Sequence, residues 1–204
     1  IRPLGKLLAG EGDAPIDLLL SHTHFDHVVG FPFFAPFYQK GRTVRVWAGH
    51  LGGRQSIYGT MCSMMRAPLF PVPPQVFTAD VEFHDFSAGE TIQPRPGFRL
   101  RTAPLNHPNG ATAYRMDYAG RSVCYVTDTE HVPGQPDRNI LDLVQDADVM
   151  IYDAAYTDAE FSRYVGWGHS TWEEGVRLAD AAGVGRLLLF HHDPTHEDPE
   201  MDRI

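Results

Sequence analysis

Ile16-Asp17-Leu18-Leu19-Leu20 runs directly into Ser21-His22-Thr23-His24-Phe25-Asp26-His27. The first five residues have the length and apolar content of a buried strand, and the stretch after them has no hydrophobic period. A buried strand that ends in histidines and an aspartate delivers donor atoms to one edge of a sheet, where a rigid element holds their geometry. His22 and His24 are two apart, so in extended chain their side chains point the same way. The chain then turns, and Asp26 and His27 can face a second position. Imidazole with carboxylate suits Zn²⁺, Mn²⁺ or Fe, and the absence of Cys donors argues against a closed structural zinc site.

The same arrangement recurs downstream. Strands are expected over residues 81–86, 98–103, 111–118, 121–127, 148–152 and 186–190. His107 follows the second of these, Asp128 the fourth and His191 the last. His192 stands beside His191, and position after the strand favours His191. Ala119-Gly120 reads as a tight hairpin turn. Ser170-Thr171-Trp172-Glu173-Glu174 opens a helix with a capping-box pattern, closed by Gly183. Residues 43–48 alternate like a further strand, and residues 28–38 read as an aromatic helix or turn broken by Pro32 and Pro36. Residues 52–74 read as a short helix followed by a proline-rich lid, with Met61, Met64, Met65 and Phe70 as an adaptable apolar wall or as ordinary packing.

With 204 residues, 43% hydrophobic and 21% charged, the chain suits one soluble domain over residues 1–204. No apolar run approaches the roughly 18 residues of a membrane helix, so no membrane partner is expected. Seventeen basic against 26 acidic residues give a formal charge of −9, which argues against a docking surface for long nucleic acid and does not exclude a small anionic substrate, the partner expected. Bound metal ions would reverse the charge inside the pocket. Cys62 and Cys124 fit no disulfide framework and read as reduced thiols of a cytoplasmic protein.

The pattern HxHxDH, followed by His107, Asp128 and His191, resembles the metallo-β-lactamase superfamily over residues 16–194. The resemblance implies an α/β sandwich of αββα type, with two mixed sheets and helices outside. It also implies two divalent ions, zinc foremost and Mn²⁺ or Fe as alternatives. His22, His24 and His107 would hold one ion, Asp26, His27 and His191 the other, and Asp128 would bridge them; Thr127-Asp128-Thr129 matches the bridging context. Family members often pair, so a homodimer is open.

Asp153-Ala154-Ala155-Tyr156 is similar to the His-Glu-Ala-Thr stretch of ribonuclease Z. Gly168-His169-Ser170-Thr171 and Leu187-Leu188-Leu189-Phe190-His191 resemble later motifs of that family. This points to the phosphodiesterase branch, which includes ribonuclease Z, the cyclic phosphodiesterase of phosphonate metabolism and cyclic-nucleotide phosphodiesterases. Two departures stand out. Ribonuclease Z carries a long tRNA-gripping arm between the third His and the bridging Asp, whereas a hairpin fills that interval here. The family also has two strands and a Gly-rich turn ahead of the position of Ile1, so N-terminal strands are expected to be missing.

The function expected is hydrolysis of a small phosphodiester such as a cyclic nucleotide. Asp26, His169 and Asp153 are the candidate catalytic residues. His169 stands just before a helix N-terminus, which favours anions, and is assigned to phosphate binding or to protonating the leaving oxygen. Asp153 would orient it. The alternatives are a metal-dependent lactone, thioester or β-lactam hydrolase, and a non-catalytic sensor with a relic site. His131 lies close to Asp128 and reads as a surface histidine, with substrate contact as the alternative. His50, His84 and His196 read as structural or exposed. Tyr152, Trp167 and Trp172 read as core or pocket wall.

Overall fold

Alternation in Thr43-Val44-Arg45-Val46-Trp47-Ala48 puts Val44, Val46 and Ala48 on one face, and all three are fully buried. The computed structural model describes residues 1–53 and 55–202, and the chain divides into two units, Ile1–Ser87 and Ala88–Ile204. The first contains α1 (Arg2–Gly10), β1 (Ile16–Leu20), α2 (Phe25–Val28), β2 (Thr43–Ala48), α3 (Ile57–Met64) and β3 (Asp80–Asp85). Its three strands pair in parallel in the order β1-β2-β3, with Leu18, Val46 and Phe83 in register. Parallel pairing brings the C-terminal ends of all three strands to one edge. The expected aromatic segment forms α2 and two 3-10 turns, Phe31–Phe33 and Ala35–Tyr38. Phe31, Phe34 and Phe37 from these turns are core residues, and Phe37 stacks on Phe77 at 4.5 Å.

Of the two readings of residues 52–74, two of the methionines follow the packed one. The short helix is α3, capped by Ser56, which accepts the Gly59 N–H at 3.0 Å. Met61 and Met65 are fully buried, so they are core and not an adaptable wall. Leu69, at 80% exposure, faces solvent, and Tyr58 and Val72 are exposed as well. Helical spacing turns Met61 inward, and an apolar side chain on that face packs whichever role its chemistry would also suit.

The second unit contains β4 (Thr91–Ile92), β5 (Arg99–Leu105), β6 (Ala111–Tyr118), β7 (Arg121–Val126), α4 (Arg138–Val144), β8 (Val149–Asp153), α5 (Asp158–Phe161), α6 (Trp172–Ala181) and β9 (Leu187–Phe190). Its sheet runs in the order β4-β5-β6-β7-β8-β9. Pairing is antiparallel from β4 to β7 and parallel from β7 to β9. The parallel half needs crossovers, which α4 and then α5 and α6 supply. The core lies under these helices, with Val126, Ile140, Met150, Tyr152 and Leu178 nearly or wholly buried. This sheet is mixed, as expected, whereas the first is parallel among the described residues.

Strand direction explains where donors gather in this unit. β7, β8 and β9 are parallel, and β5, two antiparallel steps from β7, runs the same way. Their C-terminal ends therefore share one edge. Residues following them are His107, Asp128, the terminal Asp153 of β8 itself, and His191. No helix among the described residues is long and apolar enough to cross a membrane.

Candidate metal centre

The first unit places three of the expected ligands together. His22 follows β1 and is 1% exposed. Its ring centroid is 4.5 Å from that of His24 and 4.4 Å from that of His27. His24 is the N-cap position of α2, so the helix turn returns His27 toward His22. Asp26 lies in the same turn, with Oδ2 3.0 Å from His27 Nε2, and its side chain is 67% exposed.

His50, read from sequence as structural or exposed, also belongs to this edge. Its Nε2 is 3.0 Å from Thr23 Oγ1, and its ring lies edge-on to His22 at 6.4 Å. Burial, and secondarily the nearby His24, push its pKa down to about 4, so it is neutral at neutral pH. The signal for it was present: His50 follows β2 as His22 follows β1.

The second unit gathers the other expected residues. Asp128 is 1% exposed and has φ of 57°, a left-handed conformation unusual for a residue with a Cβ. Its Oδ2 lies 3.7 Å from His191 Nε2 and 3.9 Å from His107 Nε2. His191 is also left-handed, at φ 62°. It rather than the exposed His192 reaches Asp128. His107 Nδ1 lies 2.8 Å from the Gly168 carbonyl. A carbonyl only accepts, so Nδ1 carries the proton and Nε2 presents its lone pair in the neutral ring. Gly168 is required there, since a Cβ would overlap His107 Nδ1 and Pro108 Cδ.

Asp153 is fully buried at the end of β8. Its Oδ2 accepts from Thr129 N–H at 3.0 Å, and its Oδ1 from Ala155 N–H at 3.3 Å. His169 Nδ1 donates to the same Oδ2 at 3.0 Å. The His169 ring stacks on His191, with centroids 4.7 Å apart and planes at 15°. Asp128, Asp153, His169 and His191 each bring one donor atom within 4.8 Å of the others.

This donor set fits a divalent ion. Two ligands at about 2.1 Å from a tetrahedral ion stand about 3.4 Å apart, close to the spacings Asp128 makes with His191 and His107. The donors are nitrogen and carboxylate oxygen, as zinc, manganese and iron prefer.

Three further residues depart from expectation. His131 is 7% exposed, not a surface residue; its Nδ1 is 2.8 Å from Ser170 Oγ, its ring stacks on Phe161 at 4.1 Å, and burial lowers its pKa. Trp167 is 63% exposed, so of the two readings core and pocket wall it is not core. Glu130, which sequence reasoning passed over, accepts the N–H groups of Gly166 and Gly168 on one carboxylate oxygen, at 2.7 and 2.9 Å. Tyr152 is core as expected, with its hydroxyl 3.0 Å from Ser170 Oγ. Both cysteines are free.

Comparison with known proteins supplies the relatives. Ribonuclease Z of Brevibacillus brevis is 34% identical over 83 residues, which is 41% of this chain and 24% of that protein. Ribonuclease Z of Bradyrhizobium diazoefficiens is 24% identical over 248 aligned residues, covering 96% of this chain and 78% of that protein. The chain thus matches about a quarter of the first relative's length, and more than three quarters of the second's only at lower identity. Among solved structures, the metallo-β-lactamase fold protein YhfI from Bacillus subtilis superposes with a TM-score of 0.71 at 20% identity, over 98% of this chain and 74% of that one. The short form of human tRNase Z gives 0.66 at 19% identity, over 88% and 73%.

These relatives overturn the reading of partners. The charge of −9 argues against long nucleic acid, and a small anionic substrate is the partner expected, yet the curated relatives are ribonucleases by name. A net charge is a sum over the whole chain, whereas binding of a polyanion depends on the local field, which bound cations dominate. The net charge therefore does not decide against long nucleic acid. Residues 6–192 match the family described as the beta-lactamase superfamily domain. The chain belongs to the metallo-β-lactamase superfamily, alongside the ribonucleases Z of its phosphodiesterase branch.

Proposed function

We propose that the protein is a metal-dependent phosphodiesterase that cleaves RNA. The observation that carries this reading is the group formed by Asp128, Asp153, His169 and His191, which pairs a metal-binding donor set with a carboxylate-held histidine. The names of the ribonuclease relatives support RNA as the substrate class. The ligands proposed are His22, His24 and His107 for one ion, Asp26, His27 and His191 for a second, with Asp128 bridging. Zinc is the ion proposed, and both units act as one hydrolase domain.

When bound, the two ions supply Lewis acidity and lower the pKa of water toward neutrality. The chain's own residues do the rest. The Gly168 carbonyl fixes the His107 tautomer so that Nε2 is the donor atom. Asp153, held by the Thr129 and Ala155 N–H groups, binds His169 Nδ1 and so orients the opposite nitrogen, Nε2, toward substrate. His169 binds a phosphoryl oxygen or delivers a proton to the leaving oxygen. Thr127 Oγ1 donates to Asp128 Oδ1 at 2.8 Å and leaves Oδ2 on the His107 and His191 side.

The test is a substrate panel with the zinc-reconstituted protein: a precursor tRNA, a single-stranded oligoribonucleotide, bis-p-nitrophenyl phosphate, cyclic AMP and a simple lactone. Turnover of RNA that Asp128→Ala abolishes is expected. Turnover of the lactone with no phosphodiester cleaved would sink the proposal.

A further inference from the structure

Trp167 is 63% exposed and immediately precedes Gly168-His169. A lone exposed apolar side chain is ordinary on a protein surface. This one is unusual in how firmly it is held. Its flanking glycines are both left-handed, Gly166 at φ 91° and Gly168 at φ 86°. One carboxylate oxygen of Glu130 binds the N–H on each side of it, and the Trp167 N–H itself bonds the Tyr164 carbonyl at 3.0 Å. The indole lies edge-on to Tyr164, at 5.7 Å and 87°. Tyr164 stacks face to face on Tyr156 at 4.0 Å and 3°, and Tyr156 meets His169 edge-on at 6.4 Å. Rings thus continue from the exposed indole to the histidine assigned to the phosphate.

A rigid, exposed, flat ring beside a phosphate-handling group is what a base-stacking platform requires. Rigidity means that little further ordering is lost when a base docks, and every nucleobase has a π-face to offer. We propose that Trp167 is a specificity-determining residue whose indole stacks on an unpaired base of an RNA substrate next to the phosphodiester handled by His169. This rests on the phosphodiesterase reading above and names which part of the substrate is recognised. Tyr164 packs edge-on against the indole and is itself stacked on Tyr156, and Glu130 fixes the turn that carries the ring.

The experiment titrates the zinc-loaded protein with a hydrolysis-resistant phosphorothioate oligoribonucleotide and with an abasic strand of equal length, following indole emission and Kd. Quenching by the oligoribonucleotide and not by the abasic strand is expected. Trp167→Phe should lose the quenching and keep Kd within about 3-fold, because a phenyl ring still stacks. Trp167→Ala should weaken Kd about 5- to 100-fold. Equal zinc content in all three proteins shows that the variants fold. An unchanged Kd in Trp167→Ala, or equal affinity for the abasic strand, overturns the platform while leaving the RNA reading intact. Wild-type protein that binds no RNA but hydrolyses bis-p-nitrophenyl phosphate removes the RNA reading, and the platform with it. A dimer of the wild type that Trp167→Ala dissociates also overturns it, since the indole would then belong to a contact between copies.

Discussion

Glu130 holds two backbone donors with one oxygen, and the turn it closes presents the carbonyl that sets the His107 tautomer. Groups that orient metal ligands commonly matter 10- to 100-fold for affinity. Glu130→Ala should therefore weaken zinc binding by about 10- to 100-fold, measured against a chelating dye. Glu130→Gln keeps an acceptor oxygen and should restore most of the loss; equal losses in both variants would mean that charge, not the turn, is what matters. Cys124 offers a second test. It is fully buried, and burial pushes its thiol up to about 11, whereas Cys62 is partly exposed. Ellman's reagent at pH 8 should titrate one thiol in the native protein and two after unfolding. A folded pKa raised above the unfolded value gives stability that is present at neutral pH and declines as pH climbs from about 9 toward 11.

At the level of elements, two junctions make opposite predictions. α6 crosses β8 with Gly175 against Tyr152, where a Cβ would stand 2.8 Å from the tyrosine ring. Gly175→Ala gains helix propensity but overpacks a fully buried ring, and the packing should win, at a net cost of about 1–3 kcal/mol in urea unfolding. The β6–β7 turn is the reverse case. Ala119 and Gly120 both have positive φ, at 50° and 74°, the pattern of a type I′ turn. Ala119 bears a steric penalty there that Asn would bear less, so Ala119→Asn should stabilise by about 0.5–1 kcal/mol. The same two elements show what could be read from sequence. The hairpin and the cap of α6, where Thr171 Oγ1 accepts the Glu174 N–H at 3.1 Å, are local signals carried by adjacent residues. The two-residue β4 is not, because a short element is stabilised by its neighbours more than by its own composition. α4 carried a local signal that was passed over, the cap by which Asp137 accepts the Asn139 and Ile140 N–H groups.

Across the whole molecule, His22, His107, Asp128, Asp153 and His191 follow or end strands whose directions send them to one edge of their own sheets, whereas Asp26 and His27 lie in α2 and His169 precedes α6. Within their own units, His22, His24 and His27 converge, as do His107, Asp128, Asp153, His169 and His191. What stayed hidden depended on pairing between distant segments. His50 reaches the histidine motif only because β2 lies parallel to β1, and Glu130 reaches Gly166 and Gly168 across 36 and 38 residues of chain. Partner class was misjudged because a summed charge has no position. The left-handed backbone of Asp128 and His191 bears on how such a chain would drift. A residue with a Cβ gives up about 1–2 kcal/mol in that conformation relative to Gly, so folding alone would not choose histidine at 191. Under directed evolution for heat resistance with no demand on turnover, position 191 should be among the first to turn over to glycine or asparagine. Selection that also requires catalysis should keep the histidine, and sequencing the two surviving pools would separate what the fold tolerates from what the chemistry demands.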